Sequence, residues 1–255
     1  MSRSIWTRCG AKSSCRPLAL VAWRAVEAQH IIATRKLVDS DDEQRLLEEL
    51  IDGVKPPRPA GDEFAGLHWL LYTPFRHPPL RHGSRFGRRT ERGIWYGAES
   101  LTTTFAEKAY YRMLFLQGTE AAIAPVTAEI SAFSVPIASA FGVDLGSGAF
   151  AEHVEEIAHR TDYSTAQQLG AEMRADGVEV FLYVSARDRQ RGRNIGVFAP
   201  TAFAATRPDT PHTWYCTVTP ELVEFTRRNM FERVPSLQFP RADFLVDGVL
   251  PSPAV

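Results

Sequence analysis

The sequence is poor in cysteine: Cys9, Cys15 and Cys216 are the three in 255 residues. The number is odd and no two have C-x-x-C spacing, so neither a disulfide-stapled scaffold nor a cysteine metal site is indicated. A reduced, cytoplasmic compartment is the economical expectation. Net charge is almost absent as well, −1 with a pI near 6.7. Bulk attraction to nucleic acid or to an anionic membrane needs a basic excess, so any basic site must be local and no direct nucleic-acid partner is expected. Long apolar runs are missing: no window approaches about 18 consecutive apolar residues, and the stretch Leu18 to Trp23 is too short for a signal-peptide core. No membrane span is expected. Internal repeats, low-complexity tracts and a regular βαβ alternation are not found either, which leaves α+β as the class.

What is present suits one folded unit. Apolar residues make up 44% and charged residues 23%, ordinary values for a chain that buries a core. Residues 1–17 read as irregular and 18–250 as a single domain, with its core motifs in 83–200. "LALVAWRAVEA" (18–28) reads as a strand. "SDDEQRLLEELIDGVKPP" is the clearest helix, with a Ser40–Glu43 capping box, an apolar stripe of Leu46, Leu47, Leu50 and Ile51, and a Pro56-Pro57 stop. "GLHWLLYTPF" (66–75) fits either a strand or a short helix. "GIWYGA" (93–98) reads as a strand, and Ser100 as the cap of a helix over 101–116. Strands follow at 126–135, 178–186 and 194–200, with a helix at 165–177 closed by Gly177. "TWYCTVT" reads as a last strand, leading into a helix that starts near Pro220.

The chemistry-bearing candidates are few. His153 and His159 are six apart, which is not one helix face and not the four-residue spacing of a zinc helix, so no metal is expected. Gly83, Gly87, Gly93 and Gly97 do not spell a phosphate-loop pattern. The arginines are more informative: "RHGSRFGRRTER" holds Arg81, Arg85, Arg88, Arg89 and Arg92. A guanidinium fork matches a diphosphate. Arg81, Arg88, Arg89 and Arg92 read as exposed charge, while sequence chemistry alone leaves Arg85 open between binding and exposure. A helix carboxylate such as Glu107 in "TTFAEKAYY" is usually exposed, and Ser185 would ordinarily start a turn. Arg85, Tyr96 and Glu107, however, recur eleven residues apart.

The runs "GSRF", "IWYGAES", "TTFAEKAYYR" and "YVSARD…NIGVF", preceded by "WRAVEAQH", "TRKLVDS" and "TPFR", resemble the longer subgroup of the RES-domain family over roughly residues 21–246. That resemblance implies a compact single domain related to the ADP-ribosyltransferases, with a mixed sheet and flanking helices. It implies a bacterial toxin paired with a small helix-turn-helix, Xre-like antitoxin. NAD would be the substrate rather than a cofactor, cleaved at the nicotinamide–ribose bond by hydrolysis or phosphorolysis, with inorganic phosphate a candidate co-substrate. Protein ADP-ribosylation is the alternative on the same fold. A silent phosphometabolite- or nucleic-acid-binding module is a more distant one, and homo-oligomers are left open. Residue by residue, the resemblance assigns catalytic roles to Glu107, Arg85, Tyr96 and Ser185. Arg24 and Arg76 are rivals for the family's early arginine, and Ser100 joins Arg24, Arg76, Arg85, Tyr96 and Ser185 as NAD-binding candidates. Phe86 and Gly87 depart from the tryptophan and asparagine usual after that arginine.

The chemistry of NAD cleavage suits these residue types. Positive charge grows on the ribose as the bond breaks, and a carboxylate beside it, Glu107, stabilises that charge. Arginine holds the diphosphate, an aromatic ring packs on the nicotinamide or ribose, and the Ser185 hydroxyl is expected to meet the substrate.

Overall fold

The computed structural model describes residues 4–28, 37–77, 79, 81–119, 125–227 and 234–252. Its spine is one strand, β3 (Val126–Asp144), whose alternating start "VTAEISAFSV" continues without a break through Pro136. From Ile130 to Val135 both faces of β3 are buried, because other elements cover it on each side. It pairs antiparallel with β1 (Arg16–Glu27) along residues 130–142, and with β6 (His212–Val218) along 126–132. At its far end it pairs in parallel with β4 (Val180–Val184). With β2 (Trp95–Ala98), β5 (Arg193–Val197), β7 (Leu222–Thr226) and β8 (Leu237–Pro240), the described residues form an eight-stranded mixed sheet in the order β1-β2-β5-β4-β3-β6-β7-β8. The class is α+β, as the sequence indicates.

The helices lock this sheet from two sides. On one face, α3 (Trp69–Arg76) inserts Leu70, Leu71 and Phe75 against Trp95 of β2 and Ala22 of β1. The 66–75 run is therefore a helix, and Pro74 is tolerated within its last turn. Elsewhere α4 (Leu101–Gln117) lies over β6 and β7, with Phe105 stacked on Phe225 at 4.1 Å between ring centroids and edge-on to Trp214 at 5.0 Å. Burying a side chain the size of Phe105 or Met113 contributes about 1.5–3 kcal/mol. Those two anchors fix which way the opposite face of α4 points. The helix begins as expected: Ser100 Oγ accepts from the Thr103 amide at 3.0 Å. Packed behind the arginine loop is α6 (Ser164–Ala175), where a Cβ on Gly170 would lie 2.0 Å from the Phe86 carbonyl oxygen.

Three expectations change. Residues 4–15, read as irregular, form a helical turn, α1 (Ile5–Arg8), that buries Ile5 and Trp6 against α6; the Trp6 indole donates to Asp176 at 2.6 Å. The helix expected from Pro220 is strand β7: Val223 and Phe225 point inward and Glu224 outward, a period of two that pairing with β6 and β8 enforces. The part of it beyond Arg227 lies outside the described residues, as does 29–36 within the "WRAVEAQH" and "TRKLVDS" runs. Finally, α2 (Asp41–Val54) opens on the predicted capping box, with Ser40 and Glu43 exchanging backbone bonds at 3.1 and 3.2 Å. Its apolar stripe faces outward, however: Leu46 is 56% and Leu50 60% exposed. No described helix is long and apolar enough to cross a membrane.

Candidate functional site

A cleft of about 330 Å³ opens where α4, β2, the arginine loop and the segment before α6 meet, within the range of small-molecule sites. Its wall begins at a split in the sheet. β1 and β2 share a single register pair, Trp23 opposite Ala98. The next residue on β1, Arg24, sends Nη1 to the Tyr96 carbonyl at 2.5 Å and lays its guanidinium 5.2 Å from the centre of the Trp95 ring. Burial pulls the Arg24 pKa down to about 10, which still leaves it charged at neutral pH.

Arg85 enters from the loop that Gly83 turns at positive φ; a Cβ on Gly83 would lie 2.2 Å from the Gly87 carbonyl oxygen. It is 8% exposed, donates to the His159 carbonyl at 2.7 Å and sits 4.4 Å from the centre of the Tyr163 ring. Burial works to lower its pKa, but Tyr163, Glu107 and the other acidic groups around it hold it above the ordinary value. The remaining loop arginines do not line the cleft: Arg88 and Arg89 are exposed, and Arg92 reaches Glu63 at 3.8 Å over the Phe64 ring.

Glu107 faces Arg24 and Arg85 from α4, and among the described lining residues it is the single carboxylate. Two bonds fix it, both to Oε1: Ser185 Oγ at 2.6 Å and Asn194 Nδ2 at 2.6 Å. The Ser185 proton has nowhere else to go, because its oxygen already accepts from the amides of Arg187 at 3.1 Å and Asp188 at 3.0 Å. A hydroxyl has one proton and two acceptor positions, so the serine must donate to Glu107. Among the described residues nothing bonds Oε2, which leaves it for a ligand. The turn carrying these amides is tied to α4 in turn, since Asp188 accepts from Thr103 Oγ1 at 2.8 Å.

Four tyrosines, Tyr96, Tyr111, Tyr163 and Tyr183, share the lining with Lys108, whose ammonium is paired with Glu27 at 2.7 Å. The Tyr96 hydroxyl is held by Ser84 at 2.9 Å and by the Phe86 amide at 3.2 Å. Burial pushes Tyr96 up to about 12 and raises Tyr183 too, so these two are neutral near pH 7. The cleft thus presents two guanidinium groups bonded to carbonyls rather than to acids, one oriented carboxylate, and neutral aromatic walls. It can hold an anion and, a short way off, stabilise a developing cation. No cluster of His, Cys, Asp and Glu able to hold a metal ion occurs among the described residues.

A model of the RES domain matches residues 58–218, which is well over half of the chain. This chain belongs to the RES-domain family. The match is narrower than the 21–246 expected from the motifs; within this RES protein it takes in Arg85, Tyr96, Glu107, Ser185 and Arg76 but leaves Arg24 and β1 outside. Among solved structures, the M. tuberculosis MbcT–MbcA toxin–antitoxin complex is similar at 14% identity and a TM-score of 0.46, covering 86% of this chain and 94% of the matched one. No curated protein matches.

Of the residues singled out in the sequence, Arg24, Arg85, Tyr96 and Glu107 come together in the cleft. Ser185 is fully buried behind Glu107, where it orients the carboxylate instead of facing a ligand. Ser100 is occupied as the α4 cap, bonding Thr103, and Arg76 bonds the Pro56 carbonyl; neither lines the cleft. Sequence reading overlooked Asn194, a buried amide second in β5, between Arg193 and Ile195. That misfit of a polar residue in "NIGVF" is the signal that could have marked it. It also passed over Tyr111, Tyr163 and Tyr183, which look like ordinary core aromatics until folded.

Proposed function

We propose that this RES-domain protein is an NAD-consuming enzyme that breaks the nicotinamide–ribose bond and acts as the toxin of a toxin–antitoxin pair. The observation that carries the reading is the aim of Glu107, whose Oε1 is tied by Ser185 and Asn194 while Oε2 is left open to a cleft walled by Arg24 and Arg85. In use, the two guanidinium groups would take the diphosphate, because a planar guanidinium fork can donate to two anionic phosphate oxygens at once. Tyr96 and its neighbours would pack on the sugar and the nicotinamide. Glu107 Oε2 would face the ribose as its C1′ loses the nicotinamide and becomes cationic. A carboxylate held in place before that charge forms needs no reorganisation when it does, which is where aimed groups contribute most. Water or inorganic phosphate would then take the open position on the sugar. The family also implies a helix-turn-helix antitoxin that silences the enzyme in cytoplasm.

The test is to incubate the purified protein with NAD, with and without phosphate, and to follow free nicotinamide by chromatography beside Glu107→Gln. The amide keeps an oxygen for Ser185 and Asn194 but removes the charge. Nicotinamide release falling by about 10²–10³ with an unchanged melt supports the reading. Intact NAD under every condition overturns it, and label transferred to protein would make the enzyme an ADP-ribosyltransferase.

A further inference from the structure

Behind Arg24 lies a second hollow, of about 270 Å³, lined by Arg24 itself with Val26, Trp69, Leu70, Thr73, Pro74 and His77. Arg24 therefore lines both chambers, the cleft on one side and this hollow on the other. Its guanidinium has five donor N–H groups. One is spent on Tyr96, and Nε is buried with no hydrogen-bond partner among the described residues. A buried donor left in that state costs stability that an anion at the junction would recover. The hollow's outer wall is equally specific. On α3, Leu71 and Phe75 pack into the core and Leu70 borders both core and hollow, whereas Trp69 and Thr73, one turn apart, line the hollow. Trp69 keeps 40% of its surface exposed although it is the largest side chain on the helix.

We propose that this hollow is the second half of the substrate site, taking the adenine-bearing nucleotide half of a dinucleotide whose diphosphate lies on Arg24. The fit is one of shape and charge. A dinucleotide is two flat ring systems on sugars joined by an anionic linker; here are two chambers, each with an aromatic wall, that share the half-buried Arg24. Trp69 is the stacking platform, and every base has a π-face to lay on it. That the dinucleotide is NAD rests on the function proposed above; that a purine nucleotide enters beside Trp69 does not.

The experiment is calorimetric titration of the wild-type protein, Trp69→Ala and Thr73→Trp with AMP, ADP-ribose and nicotinamide mononucleotide. Removing a stacking platform typically weakens a base by about tenfold or more. Trp69→Ala should therefore lose AMP and ADP-ribose by that factor while losing far less of its affinity for nicotinamide mononucleotide. Thr73→Trp fills the hollow without removing any wall, so it should give the same pattern even if Trp69→Ala folds poorly. A wild-type protein that ignores AMP, or variants that lose all three ligands equally or none, would overturn the second chamber. AMP weakened with ADP-ribose unaffected would mean a separate mononucleotide site and would overturn it too. These outcomes are independent of turnover: NAD cleaved by a protein blind to AMP leaves the proposed activity standing, and AMP held at Trp69 by a protein that never cleaves NAD does the reverse.

Discussion

Ser185→Ala separates a hydroxyl that touches substrate from one that aims another residue. The wild-type oxygen accepts two amides, those of Arg187 and Asp188, and gives its proton to Glu107. Alanine leaves both amides without an acceptor at a site of zero exposure. Each orphaned buried donor costs about 1–3 kcal/mol, so the pair predicts roughly 2–6 kcal/mol of lost stability. At about 2–4 °C per kcal/mol for a chain of this size, the melting temperature should fall by roughly 5–20 °C. Glu107 keeps its Asn194 bond but loses half of its tether, so kcat for nicotinamide release should fall. KM for NAD should barely move, because no ligand can reach Ser185. The assay is steady-state kinetics well below the melt, paired with thermal unfolding. A large rise in KM with an unchanged melt would refute this account and restore the sequence-based expectation that Ser185 meets the substrate.

Arg85→Ala should weaken ADP-ribose binding by about 1.5–3 kcal/mol, the usual worth of a hydrogen bond to a charged group, whereas Arg88→Ala, on an exposed side chain, should change it little; titration of the two variants side by side decides, and equal losses would mean a diffuse cation patch. ADP-ribose at about 100 times its dissociation constant should stabilise the fold by about 2.7 kcal/mol and raise the melting temperature by roughly 5–10 °C; no shift at saturation would count against the cleft as its site. Gly170→Ala, whose new methyl would meet the Phe86 carbonyl, should cost about 1–3 kcal/mol by overpacking and displace the arginine loop. Denaturant unfolding checks the first effect and ADP-ribose affinity the second, and a neutral variant would show that the loop does not lean on α6.

Much of this was legible because it is local. The Ser40–Glu43 capping box and the Ser100 cap need only neighbours in sequence, and both form. β7 was equally local in pattern, with Val223 and Phe225 alternating against Glu224, but Pro220 reads as a helix start and only β6 and β8 reveal the strand. α2 shows the opposite failure: its amphipathic stripe was read correctly, yet amphipathicity does not say what, if anything, covers Leu46 and Leu50. At the site, residue types were legible and depths were not. Whether Ser185 faces the cleft or stands behind Glu107 depends on where two amides of the following turn point. No spacing in the sequence encodes that.

The distance along the chain between the site's first and last groups has a consequence for synthesis. Arg24 sits on β1 and Asn194 on β5, about 170 residues later. At about 5–20 residues per second, the ribosome needs roughly 10–35 s to pass from one to the other. Through most of that interval β1 waits for β3, its principal partner, and through its second half Glu107 waits for the side chains that will tether it. The site is thus incomplete, by its own topology, until Asn194 has been made. A partner translated in the same interval would meet a cleft only just closing.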